Sequence, residues 1–296
     1  MANLLKDWWT KLFRQSRTFP ASRLLISDVD GTLLAGEEQL PKSTAELLRA
    51  LHSRGVQIAL ASARPHPSIA AIAQQARIPA WIISLDGAFL HSPAGELRFA
   101  LSFSTELLHR ILDTASHYAV HYAAFTPEGI VQTEHVHIPS YLDDPMLPRI
   151  PGQLLQDFLQ RRVVLLCFSG SQAHSLGFIR AIEQLPRNSR RQLSMAAVES
   201  ASLPGTTLVE LRMHNAHKGT AARALQEQLG LPRRATLAVG DYRNDLPLFD
   251  ACGFRVAMAD AVAELRSKAD WVTERTAAER GIDEVLQLLL KSTAAP

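Results

Sequence analysis

Two cysteines in 296 residues are too few for a disulfide framework. Cys167 lies inside the apolar run Val163 to Phe168 and reads as a buried core thiol, and neither it nor Cys252 has metal-ligand spacing. No apolar run reaches the ~20 residues of a membrane-spanning helix. Residues 1–20 lack the h-region and cleavage site of a secretory signal. No charge of one sign dominates: 31 Lys and Arg stand against 29 Asp and Glu, which removes the electrostatic footprint of a nucleic-acid binder. Arg161-Arg162, Arg190-Arg191 and Arg233-Arg234 are pairs, too short for a binding tail. Internal repeats and low-complexity segments are missing as well. What remains is a globular composition of two-domain length, with a cytoplasmic location expected and neither nucleic acid nor a membrane span.

Residues 1–20 read as an amphipathic leader. Leu4, Leu5, Trp8, Trp9, Leu12 and Phe13 recur at helical spacing, with Lys6, Asp7, Lys11 and Arg14 on the other side. Such a helix can dock on its own protein or a second subunit, or lie on a partner or membrane surface.

The most informative stretch is Asp28-Val-Asp30-Gly-Thr-Leu-Leu. It follows Leu24-Leu25-Ile26, an apolar run that predicts a short buried strand. Two carboxylates thus leave a strand end two residues apart, and Gly31 lets the backbone turn. In an open α/β sheet that end is where ligands bind. Two acids so close repel each other unless a cation sits between them or one keeps its proton.

Three further pieces follow strand-like runs or open a helix. Ser62-Ala63-Arg64 follows Val56 to Ala61, Lys218-Gly-Thr220 opens a helix to Leu229, and Gly240-Asp241-Tyr-Arg-Asn244-Asp245 follows Ala235 to Val239. In this order the four motifs resemble the haloacid-dehalogenase (HAD) superfamily of phosphohydrolases. The long segment between Ser62 and Lys218 resembles, by position and length, the cap of its Cof-type branch.

The strand and helix patterns predict an α/β fold. A Rossmann-like parallel-sheet core is expected over residues 21–87 and 213–296. An α+β cap, an antiparallel sheet with helices on one face, is expected as an insertion over 88–212. Strands are expected at Trp81 to Ser84, Leu97 to Phe103, Val120 to Phe125, Val163 to Phe168, Gln192 to Val198 and Thr207 to Arg212. Helices are expected at 43–53, Pro67 to Ala76, Thr105 to His117, Gln153 to Gln160, Ser175 to Gln184 and Ile282 to Leu290. Pro139 to Pro151 reads as a surface loop.

A phosphate monoester needs a nucleophile, neutralised equatorial oxygens and a protonated leaving group. Asp28 is the candidate nucleophile, forming an aspartyl-phosphate. Asp30 is the candidate general acid/base, a role that requires it to hold its proton longer than Asp28 does. The resemblance implies Mg²⁺ held by Asp28, the main-chain carbonyl of Asp30, and Asp241. Ser62, the N–H of Ala63, Lys218 and Asn244 are expected on the phosphate, with Asp245 and Arg64 in support. Asp86-Gly87-Ala88 stands where the resembled branch carries Asn-Gly-Ala. An ionised Asp there accepts hydrogen bonds and donates none, so Asp86 either meets a hydroxyl-rich ligand or serves the structure.

The expected activity is Mg²⁺-dependent hydrolysis of a small phosphorylated metabolite, such as a sugar phosphate. A sugar phosphomutase and a non-catalytic ligand-binding or scaffold protein are the alternatives.

Overall fold

The computed structural model describes residues 19–36, 39–152 and 155–293. Apart from Phe19 and Pro20, the expected leader lies outside the described residues. Phe19 stands edge-on to Phe254 and Trp271, with ring centroids 5.1 and 6.0 Å apart.

The chain forms two compact units. The first takes the described residues up to Ser62, Ile69–Glu96, and those from His217 onward; the second takes Ala63–Ser68 and Leu97–Ala216. In chain order the first unit supplies β1 (Leu24–Asp28), β2 (Gln57–Ala61), β3 (Trp81–Ser84) and β4 (Phe89–His91). The second supplies β5 (Leu97–Ala100), β6 (Val120–Thr126), β7 (Gly129–Gln132), β8 (Arg149–Pro151), β9 (Leu165–Ser171), β10 (Leu193–Glu199) and β11 (Thr206–Met213). The chain then returns with β12 (Thr236–Gly240), β13 (Phe254–Ala257) and β14 (Trp271–Val272).

Within the first unit the strands run β14-β13-β12-β1-β2-β3-β4, parallel throughout except for β3 against β4. Parallel strands are covered on both faces, which is why β1, β3 and β12 read as near-continuous apolar runs and are buried along their whole length. Each aliphatic side chain buried this way contributes about 1.5–3 kcal/mol. Helix Lys42–Ser53 buries Thr44, Ala45, Leu48 and Leu51, one stripe at helical spacing. Its first turn is tied to helix Gly281–Ser292 by Asp283, which accepts from Ser43 Oγ at 2.9 Å and Thr44 Oγ1 at 2.7 Å.

The second unit has a six-stranded sheet ordered β10-β11-β9-β6-β7-β8, antiparallel but for β7 with β8. One face carries Ala124, Val131, Leu166, Phe168, Val209 and Leu211 into a core with Leu108, Ile111, Phe158, Phe178 and Ile182 from the helices. On β9 and β11 the alternate residues Cys167, Ser169 and Glu210 occupy the other face, by the period of two. The stretch 133–148 runs there: His137 N–H donates to Ser169 Oγ at 2.9 Å and Tyr141 Oη donates to Glu210.

Several expected elements shift. β5 stops at Ala100, and Phe103 N–H instead donates to Val163 O at 2.9 Å. The helix expected over Gln153 to Gln160 is described as Leu155–Leu159. The loop Pro139 to Pro151 ends in β8, paired in parallel with β7. It also buries Leu142 and Asp144, so it is not all surface. Strands β4 and β7 and the helices Leu246–Ala251 and Ala263–Lys268 were not legible, being only three to six residues long.

Candidate active site

Four parallel strands deliver side chains to one edge of the first unit's sheet. Asp28 ends β1, Ser62 follows β2, Asp86 lies two residues past β3, and Asp241 follows Gly240, the last residue of β12. β1 lies between β2 and β12. The chain lays β2 and β3 on one side of β1 and later β12 and β13 on the other, so the order reverses beside β1. Carboxyl ends at such a switch point form a crevice, here lined with acids.

Lys218 fills the centre of it. Helix Lys218–Leu229 begins with this residue, capped by His217, whose ring Nδ1 accepts from Thr220 N–H at 3.2 Å. The Lys218 side chain is wholly buried, and its ammonium donates to Asp28 Oδ1 and, at 2.7 Å, to Asp245 Oδ1. Asp245 is equally buried, and its other oxygen accepts from the N–H groups of Asp241 (3.1 Å) and Tyr242 (3.2 Å). One carboxylate therefore fixes both the lysine and the turn that carries Asp241. Thr32 Oγ1 points to Asp241 Oδ1 at 3.4 Å. Gly31, at φ +79°, allows this approach: a Cβ there would sit 2.4 Å from Asp241 Oδ2.

Carboxylate oxygens of Asp28, Asp241 and Asp245 all lie within 4.8 Å of one another. Among the described residues, no three-ligand grouping includes His135, His137, His214 or His217. Asp30 is exposed and accepts from Ser62 Oγ at 3.3 Å, while Ser62 itself is buried. Asn244 is exposed and donates to Asp86 Oδ1 at 3.0 Å. Ala63 and Arg64 lie in the bend after Ser62, among residues that fall with the second unit.

The electrostatics follow from burial. Desolvation lifts the Asp28 carboxyl well above its usual range, opposed by the Lys218 charge and reinforced by Asp245. Asp241, half-buried, is pushed up to about 6 by burial first and the Asp245 charge second, against Lys218 and hydrogen bonds with Asp28 and Thr32. Burial alone would lower Lys218; the carboxylates of Asp245, Asp28 and Asp86 outweigh it and hold the ammonium charged. Three clustered carboxylates share the Lys218 ammonium, and the upward shifts of Asp28 and Asp241 come from burial first and the neighbouring carboxylate charge of Asp245 next, with Lys218 opposing both. Hard oxygen donors short of counter-charge fit a small divalent cation such as Mg²⁺.

Two contributors were not read from the sequence. Thr32 is a hydroxyl inside the first motif, four residues from Asp28 along the chain, and its position was the available signal. The pairing of Asp86 with Asn244 joins residues 158 positions apart. Asp86 occupies the left-handed region (φ 55°, ψ 29°) between Leu85 at φ 50° and Gly87 at φ 97°. Its N–H donates to Ser62 O at 3.0 Å, so this bend ties the end of β3 to the end of β2. Backbone held this way at a strand end is typical of sites that over-determine their geometry.

A profile of the haloacid dehalogenase-like hydrolases matches residues 25–286. Phosphatase YwpJ of Bacillus subtilis is 28% identical over 293 residues, covering 90% of this chain and all of the relative. The HMP-PP phosphatase of Cronobacter sakazakii is 28% identical over 250 residues, covering 82% of this chain and 86% of its own length. Among solved structures, TM0651 of Thermotoga maritima superposes with a TM-score of 0.75 at 22% identity, covering 90% of this chain and 97% of the other. The HAD subclass IIB sugar phosphatase BT4131 matches at 0.65 and 18%, covering 90% and 98%. The chain belongs to the haloacid dehalogenase-like hydrolases.

Proposed function

We propose that this protein is a Mg²⁺-dependent phosphatase that hydrolyses a small phosphorylated metabolite through an aspartyl-phosphate on Asp28. The observation that carries the reading is the buried Lys218 ammonium bonded to both Asp28 and Asp245 at the carboxyl ends of parallel strands. An ammonium there opposes the effect of burial on the Asp28 carboxyl, favouring its ionised form, and faces the phosphoryl oxygens that Asp28 attacks.

In this reading Asp28 Oδ attacks phosphorus and the ester oxygen leaves with a proton from Asp30. Asp30 then takes a proton from water, which attacks the phosphoenzyme and releases phosphate. The exposed position of Asp30 beside Ser62 Oγ suits a group that must meet leaving group and water in turn. Ser62 Oγ, the Ala63 N–H, Asn244 and Lys218 are the donors assigned to the phosphoryl oxygens, with Arg64 in support. Asp28, the Asp30 main-chain carbonyl and Asp241 are the assigned metal ligands. Both oxygens of Asp245 are already committed to Lys218 and two amides, which favours a holding role for it. When bound, the divalent cation supplies charge neutralisation for the phosphoryl group and lowers the pKa of its carboxylate ligands.

Residues 21–87 and 213–296 are assigned as the catalytic core and 88–212 as the inserted cap, although the compact units divide after Glu96 and before His217, which leaves β4 with the core sheet; a cytoplasmic location is assigned with them. The relatives named as phosphatases of phosphorylated small molecules support that substrate class; one, from Bacillus subtilis, acts on 5-amino-6-(5-phospho-D-ribitylamino)uracil.

The test is phosphate release from a panel of metabolite monoesters, with and without chelator, for wild type and Asp28→Asn. Turnover should require Mg²⁺ and fall by at least about 10³-fold in the variant, some 4 kcal/mol of transition-state stabilisation. Wild-type turnover by Asp28→Asn would overturn the mechanism. Isomerised sugar phosphate in place of free phosphate would point to a mutase.

A further inference from the structure

The edges of a β-sheet present unpaired N–H and C=O groups, and proteins blunt them with short strands, proline or charge. In the second unit β8 follows this rule: it has three residues, begins with Arg149 and ends in Pro151. In the first unit the edge strand β14 has two residues. β10 breaks it. It is seven residues long, lies among the described residues at the end of its sheet, and is paired along its whole length with β11 on the inner side. Its sequence, Leu-Ser-Met-Ala-Ala-Val-Glu, carries no proline, glycine or charge before Glu199. Ser194 and every residue from Ala196 to Glu199 are exposed, Val198 by 59%.

The charges flanking this edge are of opposite sign at its two ends. Arg190 and Arg191, both exposed, precede the strand, and exposed Glu199 closes it. Glu199 accepts a hydrogen bond of 3.5 Å from Gly205 N–H, a weak tether that leaves the carboxylate at the surface. Laid antiparallel on an identical strand about a two-fold axis near Met195 and Ala196, each Glu199 meets the partner's Arg190-Arg191 end. A parallel arrangement would set Glu199 against Glu199 and arginine against arginine. Met195 and Ala196 then fall at the centre, flanked by the small side chains of Ser194 and Ala197.

We propose that β10 is a self-association edge: two copies of this chain pair through Leu193–Glu199, antiparallel, into one continuous sheet across the dimer. Such a contact is isologous, so it closes at two copies and consumes the exposed edge. Paired edge strands alone bury less than the roughly 1,200–2,000 Å² of a stable interface, so the dimer is concentration-dependent.

Sedimentation velocity of the full chain from about 1 µM to 1 mM tests it, with thermal unfolding as the check that each variant is folded. Wild type should pass from monomer to dimer across that range, in the micromolar regime expected for so small an interface. Glu199→Arg, and separately the pair Arg190→Glu and Arg191→Glu, should each weaken the dimer at least tenfold. Combining all three should restore it, which antiparallel pairing alone requires. Ala196→Lys with Ala197→Lys should leave monomer only. A wild-type chain that stays monomeric to 1 mM, a dimer indifferent to Glu199→Arg, or a combined variant that fails to regain association would each overturn the proposal.

Discussion

Lys218 Nζ and Asp245 Oδ1 stand 2.7 Å apart, with both side chains fully buried. A lysine taken out of water costs several kcal/mol unless its charge is matched. Here two carboxylates match it, and the pair joins the start of helix Lys218–Leu229 to the turn after β12. The site and the stability of the first unit therefore rest on the same atoms.

Lys218→Met keeps the volume and removes the charge, leaving Asp28 and Asp245 buried without it. Breaking a buried pair from one side is expected to destabilise the protein by about 3–5 kcal/mol. Urea unfolding near pH 7 measures this. The loss should shrink as pH falls, because the stranded carboxylates then take up protons.

Asp245→Asn asks whether the second carboxylate holds or catalyses. An amide replaces one acceptor oxygen with a donor, so it cannot serve Lys218 and the two N–H groups of Asp241 and Tyr242 together. Loosening a group behind the metal ligands typically costs 10–100-fold. The half-saturating Mg²⁺ concentration should rise by about that factor in a folded protein. An unchanged Mg²⁺ requirement would remove Asp245 from the supporting role.

Much of this site was legible because its chemistry is local. Asp28, Asp30 and Gly31 fall in one heptapeptide, Asp241 and Asp245 in a hexapeptide, each after an apolar run that announces a buried strand. The parallel core was legible for the same reason: β1, β3 and β12 are apolar throughout. What the chain order hides is the partner of each group. Thr32 reaches Asp241 across 209 positions and Asn244 reaches Asp86 across 158. Asp86 was hard to read in a second sense. Left-handed backbone favours Gly and, less strongly, Asn or Asp, so Asp86 gave a weak signal and Leu85 none. Strands as short as β4 and β7 give too few residues for a period to show.

Gly31→Ala separates two effects of one methyl group. Its φ of +79° costs an alanine about 1–2 kcal/mol. The new Cβ also collides with the Asp241 carboxylate at 2.4 Å. Gly36→Ala is the control, since its φ of +85° is similar and a Cβ there meets none of the described residues within 4 Å. Both variants should lose comparable stability from the backbone, and Gly31→Ala alone should lose phosphatase activity, by at least tenfold. Equal activity in the two would show that Asp241 is not held against Gly31.

Without a cation the folded protein keeps Asp241 protonated up to about pH 6, whereas the unfolded chain releases that proton near 3.8. Between these values the native state binds more protons, so stability falls as pH rises, and the penalty is complete above pH 6. Asp28, also raised, acts in the same direction. Because Asp241 is half-buried, solvent screening limits its share to on the order of 1 kcal/mol. The chelated protein should therefore melt at a higher temperature near pH 5 than near pH 7 from this source. Asp241→Asn should flatten that slope and raise the melting temperature of the chelated protein at pH 7. Excess Mg²⁺ should stabilise the wild type most above pH 6, where its ligands are ionised, and the variant much less. A chelated wild type with the same slope as Asp241→Asn would show that the half-buried carboxyl is not the group that titrates, and that the acidic crevice draws its counter-charge from Lys218 alone.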